Sequence, residues 1–560
     1  MACGRLSRWS PSQARPQRGG RNAVPTVIRL HDLTLALDAD EARLLPRACD
    51  RLGIAERDVA EIRIVRKSLD ARDKRKIRLI YAVDVALRNG LQPRGEWTAR
   101  VTRDGPGEAA WSPPEACPLP FRDRPIVVGA GPAGLFAAIA LAHAGCAPLV
   151  LERGRQVEER IRDVQSFLDT RTLNPESNVL FGEGGAGTFS DGKLTTRKSD
   201  PRIPWILSTL SECGAPKEIT YDAKPHVGTD KLRQVVQALR GRIEALGGQF
   251  RFSAKVSELL VSDGRVRGVK AGGETIFAEA VILAIGHSAR DTYEMLLAKG
   301  VALEPRPFQF GLRIEHPQEL INRAQYGAMA NHPKIPAATY QLVAKPGNGR
   351  RAVFSFCMCP GGSVIPAVSE HGLLSVNGMS CWARNSGRAN SALVVTVSPS
   401  DFDAADALAG ARFQRHWERL AFDAAGADYT CPAQWAADFA QGKASARPVA
   451  ASYPLGVRAC DLRTVLPTFV STSIAGALPE FDRKIRGFAG PEAVLLGPEA
   501  RASSPVRIVR SPVALESATV SGLFPAGEGA GYAGGIISAA LDGLKCAEAV
   551  LKKLTVANGP

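Results

Sequence analysis

The start of the chain lacks the apolar stretch that a secretory signal has. The sequence also lacks the Cys-x-x-Cys and Cys-x-x-x-x-Cys spacings of redox disulfides, although its 560 residues include 11 cysteines, an odd count. Disulfides persist mainly in oxidising compartments, so reduced thiols in a cytoplasmic protein fit this pattern best. No metal site is predicted.

Acidic residues are missing from residues 1–31, where six arginines supply part of the formal net charge of +15. The remainder holds no Lys/Arg run with interleaved aromatic residues, so nucleic acid is an unlikely main partner. A basic surface is also typical of an enzyme that acts on anionic small molecules. We expect residues 1–26 to be a disordered tail, with an organelle transit peptide as the alternative.

Charged residues are also absent from residues 126–151, a length that would span a bilayer. Three glycines and a proline lie near the start of this stretch, where a strand, a tight turn and a helix explain them better. No membrane partner is therefore predicted.

The run IVVGAGPAGLFAAIALAHAG at 126–145 has the Gly-x-Gly-x-x-Gly spacing directly after a predicted strand and at the start of a predicted helix. Such glycines permit a tight turn, the approach of a pyrophosphate and close helix–strand packing. Glu152 ends the next predicted strand, where a carboxylate accepts both ribose hydroxyls and repels a 2′-phosphate. The pattern predicts an FAD or NAD site formed by Gly129, Gly131, Pro132, Ala133, Gly134, Glu152 and Arg153.

A second glycine-rich run, at 522–550, decides between these two cofactors. An acid that follows a glycine in a distal segment commonly holds the ribityl or pyrophosphate region of FAD. The next helix then directs its positive end at the flavin and stabilises the reduced anion. We therefore predict FAD, with Gly527, Glu528, Gly534, Gly535 and Ile536 as further binding residues.

Between these two runs lies NVLFGEGGAGTFSDGKL, residues 178–194. Its glycines would let the backbone cross the isoalloxazine face and offer N–H donors. The predicted binding residues here are Gly184, Gly185, Ala186 and Gly187, together with Gly286, which follows a later predicted strand.

Seven segments of this chain resemble a family of bacterial FAD-dependent dehydrogenases, part of the NAD(P)-FAD-dependent oxidoreductases. They are GEGGAGTFSDGKL (182–194), KPHVGTDKL (224–232), AIGHSARDTYEML (284–296), GLRIEHPQELI (311–321), CMCPGG (357–362), NGMS (377–380) and AGEGAGYAGGIISAALDG (526–543). The resemblance covers nearly everything after residue 26. It implies FAD binding and an oxidoreductase role, and it does not supply a substrate.

Two side chains are the catalytic candidates. His287 follows a predicted strand end near the cofactor and could act as a general acid or base. Lys193 could hold a substrate carboxylate or place charge near flavin N1, and Arg384 could do the same. For Cys357 and Cys359 packing is favoured over a redox role, because adjacent disulfides of this spacing are strained.

The predicted fold class is α/β: a Rossmann-like FAD-binding domain with a parallel sheet and a β-meander, an inserted mixed α/β substrate domain and a small N-terminal α/β domain. The meander strands are predicted at 249–253, 255–261, 265–271 and 276–285, after a helix at 229–247 with Thr229 as N-cap. The predicted ranges are 1–26 (tail), 27–104 (N-terminal domain), 105–124 (linker), 125–295 (first FAD segment), 296–504 (substrate domain) and 505–560 (second FAD segment).

The leading hypothesis is a flavin-dependent oxidoreductase that transfers hydride between flavin N5 and an unidentified small substrate. NAD(P)H or another donor would complete the cycle. The alternatives are a flavin monooxygenase that uses NAD(P)H and oxygen, and a flavin-containing RNA-modifying or RNA-binding protein.

Overall fold

The computed structural model describes residues 27–88, 101–102, 111–114, 123–347 and 349–557. The predicted tail lies outside these residues, as does most of the predicted linker. The described residues divide into two compact units, one made of 27–35, 39–65, 81–88 and 101–102, the other of 36–38, 66–80, 111–114, 123–347 and 349–557. No helix within the described residues is long and apolar enough to cross a membrane.

The N-terminal elements form a small α/β arrangement. They are β1 (Val27–Ala36), α1 (Leu44–Leu52), β2 (Val59–Asp70), β3 (Arg78–Leu87) and β4 (Val101–Thr102). The four strands form one sheet in the order β2-β3-β1-β4. Asp84 is buried on β3, where Arg29 and Arg63 donate to its carboxylate at 2.7 and 2.9 Å and satisfy its charge.

Next, β- and α-elements alternate in the way that builds a parallel sheet. They are β5 (Ile126–Val128), α2 (Pro132–His143), β6 (Leu149–Leu151), α3 (Val157–Thr170), α4 (Ile203–Glu212), α5 (Thr229–Ala245), β7 (Gln249–Arg251), β8 (Val256–Ser262), β9 (Arg265–Ala271), β10 (Glu274–Phe277), β11 (Val281–Leu283) and α6 (Arg290–Ala298).

The middle of the chain forms a mixed sheet with helices. Its elements are β12 (Leu303–Pro305), β13 (Phe308–Pro317), α7 (Gln318–Tyr326), β14 (Val343–Ala344), β15 (Val353–Cys359), β16 (Ser363–Pro366), β17 (Val376–Met379), β18 (Arg388–Val397), α8 (Ala409–Ala424), β19 (Cys431–Trp435), α9 (Ala436–Ala440), β20 (Val457–Ala459), α10 (Thr468–Lys484), β21 (Val494–Glu499) and β22 (Val506–Ile508). Seven of these strands pair in the order β14-β15-β18-β13-β21-β19-β20.

The last elements, β23 (Leu523–Pro525) and α11 (Ile536–Ala557), return to the parallel sheet. Its order is β23-β11-β5-β6-β7, so a strand from the end of the chain pairs directly with β11. The ends of the intervening segment also meet, since β12 pairs antiparallel with β22. The predicted α/β class, with a Rossmann-like parallel sheet and a mixed segment inserted into it, is confirmed.

Two local expectations were wrong. The meander has three strands, β10-β9-β8, because the segments at 249–251 and 281–283 pair with the parallel sheet instead. Thr229 is the first residue of α5 and not its N-cap, which is Gly228. The Thr229 hydroxyl donates to the Thr188 carbonyl at 2.8 Å, so it ties the helix start to the preceding loop.

Helices α2 and α11 pack against each other at a glycine. A Cβ at Gly543 would lie 2.0 Å from the carbonyl oxygen of Ala133, so only glycine permits this helix separation. Gly241 on α5 is the opposite case, because a Cβ there would meet no atom within 4 Å.

These two helical glycines give a matched test of the packing. Gly543→Ala should lower the free energy of unfolding by about 1–3 kcal/mol, because the added methyl forces the helices apart. Gly241→Ala should raise it by up to about 1 kcal/mol, because alanine has the higher helix propensity. Melting curves followed by circular dichroism measure both. Equal destabilisation by the two substitutions would contradict the close packing of α2 and α11.

Candidate functional site

The predicted glycine turn lies between β5 and α2, at the carboxyl edge of the parallel sheet. Gly129 has φ 99°, and a Cβ there would lie 2.4 Å from the carbonyl oxygen of Ala284 at the end of β11. A Cβ at Gly134 would lie 1.8 Å from the carbonyl oxygen of Gly129. Pro132 occupies the first turn of α2, and no side chain caps this helix end. An uncapped helix N-terminus beside a bare backbone is an anion site.

Glu152 follows β6, the neighbouring strand, and its carboxylate is 5% exposed. The two carboxylate oxygens accept backbone N–H groups from Ala130, Gly154 and Gly182 at 2.8, 2.9 and 3.0 Å. A carboxylate has about four acceptor positions, so these three bonds leave room for one further donor.

Arg153 lies beside Glu152 and pairs with Glu176 at 2.7 Å and with both oxygens of Asp291 at 3.0 Å. Lys255 also pairs with these two carboxylates. Arg153, Glu176 and Lys255 border a cavity of about 300 Å³ next to the end of β6. Arg153, a predicted binding residue, therefore lies at the cavity wall, and its guanidinium is already paired with the two carboxylates.

The glycine loop at 184–187 lies directly on the turn. The Gly184 N–H donates to the Ala130 carbonyl at 2.8 Å, and a Cβ at Gly185 would lie 3.1 Å from the Cα of Gly131. Ala186 is exposed, and a Cβ at Gly187 would lie 3.4 Å from Ile536 Cγ1. The loop thus connects the first glycine turn to the start of α11.

The distal segment returns to the same place. Gly527 follows β23 with φ 76°, and a Cβ there would lie 2.7 Å from the Cβ of Ala133 on α2. Its N–H donates to the buried carboxylate of Asp542 at 2.7 Å. Gly534 and Gly535, which precede α11, are exposed. The two glycine segments, far apart in the sequence, are therefore adjacent in the fold.

Gly286 and His287 follow β11 and contact the distal segment. A Cβ at Gly529 would lie 2.7 Å from the backbone nitrogen of Gly286. His287 Nδ1 lies 3.4 Å from Glu528 Oε1, and its imidazole is 12% exposed. His287 Nε2 has no hydrogen-bond partner among the described residues. The imidazole therefore contacts Glu528 through Nδ1, and its Nε2 is buried.

Lys193 lies further along the glycine loop. Its Nζ is 3.1 Å from Asp191 Oδ2, and Arg384 donates to both oxygens of the same buried carboxylate at 3.0 and 2.7 Å. Burial lowers the pKa of Lys193, but negative charge on the Cys359 and Cys357 pair and on Asp191 raises it more, so the pKa lies above its ordinary range. Lys193 is a fixed cation and not a proton acceptor at neutral pH.

Two residues that organise the site escaped the sequence analysis. Arg160 on α3 is fully buried, and its guanidinium donates to five carbonyl oxygens of the glycine loop region: those of Asn178, Val179, Gly182, Glu183 and Gly185. Asp542 on α11 holds Gly527 and pairs with Arg510 at 2.7 Å. Arg160 gave no signal among the charged residues of its helix, whereas Asp542 is conspicuous as an acid in an apolar run.

Glu183 in the glycine loop is a buried carboxyl that accepts the Val157 N–H at 2.8 Å. Its nearest cation, Arg240, lies 3.4 Å away without a hydrogen bond to it. Burial raises the pKa of Glu183 from 4.5 to about 7. Ionisation of this carboxyl near neutral pH therefore opposes the packing of the loop.

Profiles of known families match four parts of the chain. A FAD-dependent protein, C-terminal domain-like, matches residues 307–502, and FAD dependent oxidoreductase matches residues 228–344. An NAD(P)-binding Rossmann-like domain matches residues 127–173, and a domain of unknown function matches residues 27–86.

Two relatives and one solved structure were also compared with the chain. An uncharacterised protein of Clostridium beijerinckii is 45% identical over 532 residues, which cover 94% of this chain and 99% of that protein. Protein FixC of Escherichia coli K12 is 29% identical over 206 residues, 35% of this chain and 44% of FixC. Among solved structures, a geranylgeranyl bacteriochlorophyll reductase-like protein from Thermoplasma acidophilum aligns with 13% identity and a TM-score of 0.34, over 78% of this chain and 79% of that one.

The parallel sheet, its glycine turn and the acid that follows define a dinucleotide-binding flavoenzyme. The chain belongs to the family of FAD-dependent oxidoreductases, and FAD is its cofactor. The structure fits this cofactor: the N-terminus of α2 is uncapped, and side chains at Gly129 and Gly134 would fill the turn.

Glu152 gives a direct test of the predicted cofactor contact. Glu152→Gln should weaken FAD binding roughly 10- to 100-fold, because the amide loses the charge and turns an NH₂ group toward backbone donors. Titration of apoprotein with FAD, followed by flavin fluorescence, measures the change. Glu158→Gln on α3, which breaks an ion pair with Arg240, is the matched control. Equal affinities of the two variants would exclude Glu152 from the site.

Glu183 predicts a pH dependence of stability. Its pKa is raised in the folded state, so its stabilising contribution is complete below pH 4.5 and is lost as the pH rises through about 7. Glu183→Gln removes this loss, worth about 3 kcal/mol at most. The melting temperature of the variant relative to the parent should therefore rise between pH 5 and pH 8. Glu274→Gln, at an exposed glutamate, should show no such trend.

Proposed function

We propose that this enzyme transfers hydride between flavin N5 and a small, anionic substrate held between the glycine loop and the inserted segment. One observation carries the proposal: the segments at 129–134, 184–187, 286–287 and 527–536 meet at one edge of the parallel sheet. In doubly wound sheets this carboxyl edge is where nucleotide ligands bind.

In this proposal the cofactor extends along that edge. The N-terminus of α2 would hold the pyrophosphate, and Glu152 would hold the ribose with its remaining acceptor position. The cavity of about 300 Å³ beside Arg153 would take the adenine end. Bound FAD would supply the hydride acceptor and donor, while the protein supplies orientation and charge.

The space near Gly187, Pro132 and Ile536 is our proposed place for the flavin ring. A Cβ at Gly187 would be within 3.8 Å of Pro132 and Ile536. The absence of a side chain at Gly187 therefore keeps this space free. The helix α11 begins at Ile536 and directs its positive end here, which favours a reduced, anionic flavin.

His287 is the proposed general acid or base. Glu528 orients the imidazole through Nδ1, so Nε2 is the atom that would exchange a proton with substrate. Lys193 is proposed to attract a substrate anion, because its pKa keeps it charged and 30% of its side chain is exposed. NAD(P)H is one electron donor compatible with this scheme.

The family assignment does not favour the monooxygenase alternative over hydride transfer. The RNA-binding alternative rests only on net charge and on the N-terminal residues, and no contact of the described residues adds to it. A cytoplasmic location likewise stays a prediction from the cysteine content.

The decisive experiment is anaerobic reduction of the purified holoprotein. We expect yellow protein with non-covalent FAD. NADH or NADPH should reduce this flavin at a rate that rises with the nucleotide concentration, either linearly or to saturation. His287→Gln should leave FAD bound and slow turnover with an oxidisable substrate about 100-fold or more, because proton transfer is lost. His416→Gln, at a histidine of α8, is the control. Protein that cannot bind FAD would refute the site, and an unchanged His287→Gln rate would remove only the proton-transfer role.

A further inference from the structure

Cys357 and Cys359 lie at the end of β15, in a segment with unusual backbone geometry. Cys357 has φ 45°, which is strained for a residue other than glycine. The pairing of β15 with β18 shifts register between Phe356 and Cys359, which marks a bulge. Cys359 is fully buried, whereas Cys357 is partly exposed. Bulges beside active sites redirect side chains, and this one places a partly exposed cysteine next to a buried one.

The thiols face the loop that leaves the proposed flavin site. Lys193 Nζ lies 3.8 Å from Cys359 Sγ, and Cys359 donates its thiol hydrogen to the Cys357 carbonyl at 3.4 Å. Arg313 is fully buried and donates to the same Cys357 carbonyl at 3.3 Å. The pair thus lies where the inserted segment meets the glycine loop.

The buried charges around the thiols do not balance without them. Arg313 is neutralised by both oxygens of Glu499, at 2.6 and 2.9 Å. Lys193 and Arg384 share the single carboxylate of Asp191. Of these five groups three are cations and two are anions, so one positive charge is left over. A thiolate in the pair would cancel this charge, and cations beside a thiol favour its thiolate form.

The titration behaviour of the pair agrees with this geometry. Interaction with the Cys359 side chain lowers the pKa of Cys357 well below its ordinary range, against burial, and the cations Lys193 and Arg313 lower it further. Cys359 keeps its proton, because its partner thiolate and burial both raise its pKa. His226, the other titratable group beside Lys193 and Asp191, has its pKa lowered by burial and is neutral at pH 7.

We propose that Cys357 and Cys359 form a redox-active dithiol that reacts with a small disulfide. The Cys357 thiolate attacks one sulfur of the substrate, forming a mixed disulfide and releasing one substrate thiolate. Cys359 then attacks Cys357 Sγ, the second substrate sulfur leaves as a thiolate, and the Cys359 proton goes to one of the two. The protein loses two electrons, and the substrate disulfide becomes one thiol and one thiolate.

This inference goes beyond the proposed function and does not depend on it. A disulfide between residues of this spacing is strained and easily reduced, so an excess of the small disulfide is needed to drive the pair to its oxidised form. Packing alone explains a buried Cys359 and does not explain the strained, accessible Cys357 beside surplus positive charge. Metal binding has no support, since no group of three ligating side chains occurs among the described residues.

The test is thiol mapping of the full-length protein. Trypsin releases residues 352–384 as one peptide with three cysteines. All measurements therefore use a Cys381→Ser variant, in which Cys357 and Cys359 are the cysteines of that peptide. The reduced protein is exposed to oxidised glutathione, quenched with N-ethylmaleimide and analysed by mass spectrometry. We expect the peptide to lose two hydrogens, to escape labelling and to regain both thiols with dithiothreitol.

Single variants separate the two roles. Cys359→Ser should trap glutathione on Cys357, whereas Cys357→Ser should abolish the reaction. Cys460→Ser, at a partly exposed cysteine beyond β20, should change nothing. Lys193→Met should slow alkylation of Cys357 at pH 7 about 10-fold or more, because the thiolate loses a cation.

Circular dichroism and flavin absorbance establish that each variant is folded. A fully labelled peptide after glutathione treatment would overturn the proposal, as would glutathione found only on Cys460. A folded Cys359→Ser variant without a glutathione adduct would also overturn it.

Discussion

The carboxylate of Glu152 connects the parts of the nucleotide-binding edge. It is a buried charge without a basic partner in hydrogen-bond contact, so backbone N–H groups must satisfy it. Its three donors come from the turn after β5, the end of β6 and the glycine loop. Any arrangement that separated these segments would leave the charge unpaired in the interior. The position of the glycine loop on the turn is therefore set by electrostatics as well as by close packing.

Arg160 complements this anion from the other side of the loop. Its guanidinium donates to five backbone carbonyls, so the loop is held by a cation through its acceptors and by Glu152 through its donors. Neither contact uses a side chain of the loop itself. This arrangement suits a segment that is rich in glycine, because the loop can be rigid while its surface stays free of side chains.

The inserted segment shapes the chemistry because it begins and ends at the same sheet. The two ends of the inserted segment meet where β12 pairs with β22. The pairing of β11 with β23 brings His287 into contact with Glu528. The same return places the strand with Cys357 and Cys359 against Lys193 of the loop. The imidazole–carboxylate contact and the ammonium–thiol contact are thus each built from different stretches of sequence.

Sequence patterns were sufficient wherever a function requires a local backbone geometry. The glycine turn at 126–145, the acid after β6 and the distal glycine run each have a conformational requirement that only particular residues meet, so the fold class and the cofactor followed from them. Local alternation was not sufficient for 249–253 and 276–285. Alternation predicts that a strand forms, but it does not predict which sheet the strand joins, because strand pairing depends on remote partners.

Long-range contacts decided the rest. Arg160 looks in the sequence like the other charged residues of its helix, and only burial against remote backbone groups gives it and Asp542 their roles. The character of Cys357 likewise depends on Lys193 and Arg313, which lie on other elements. The sequence by itself determined the local turns, the parallel sheet and the flavin cofactor, because these follow from short-range backbone requirements. Only the tertiary structure decided which charges share a site, because electrostatic balance depends on groups that the chain brings together from a distance.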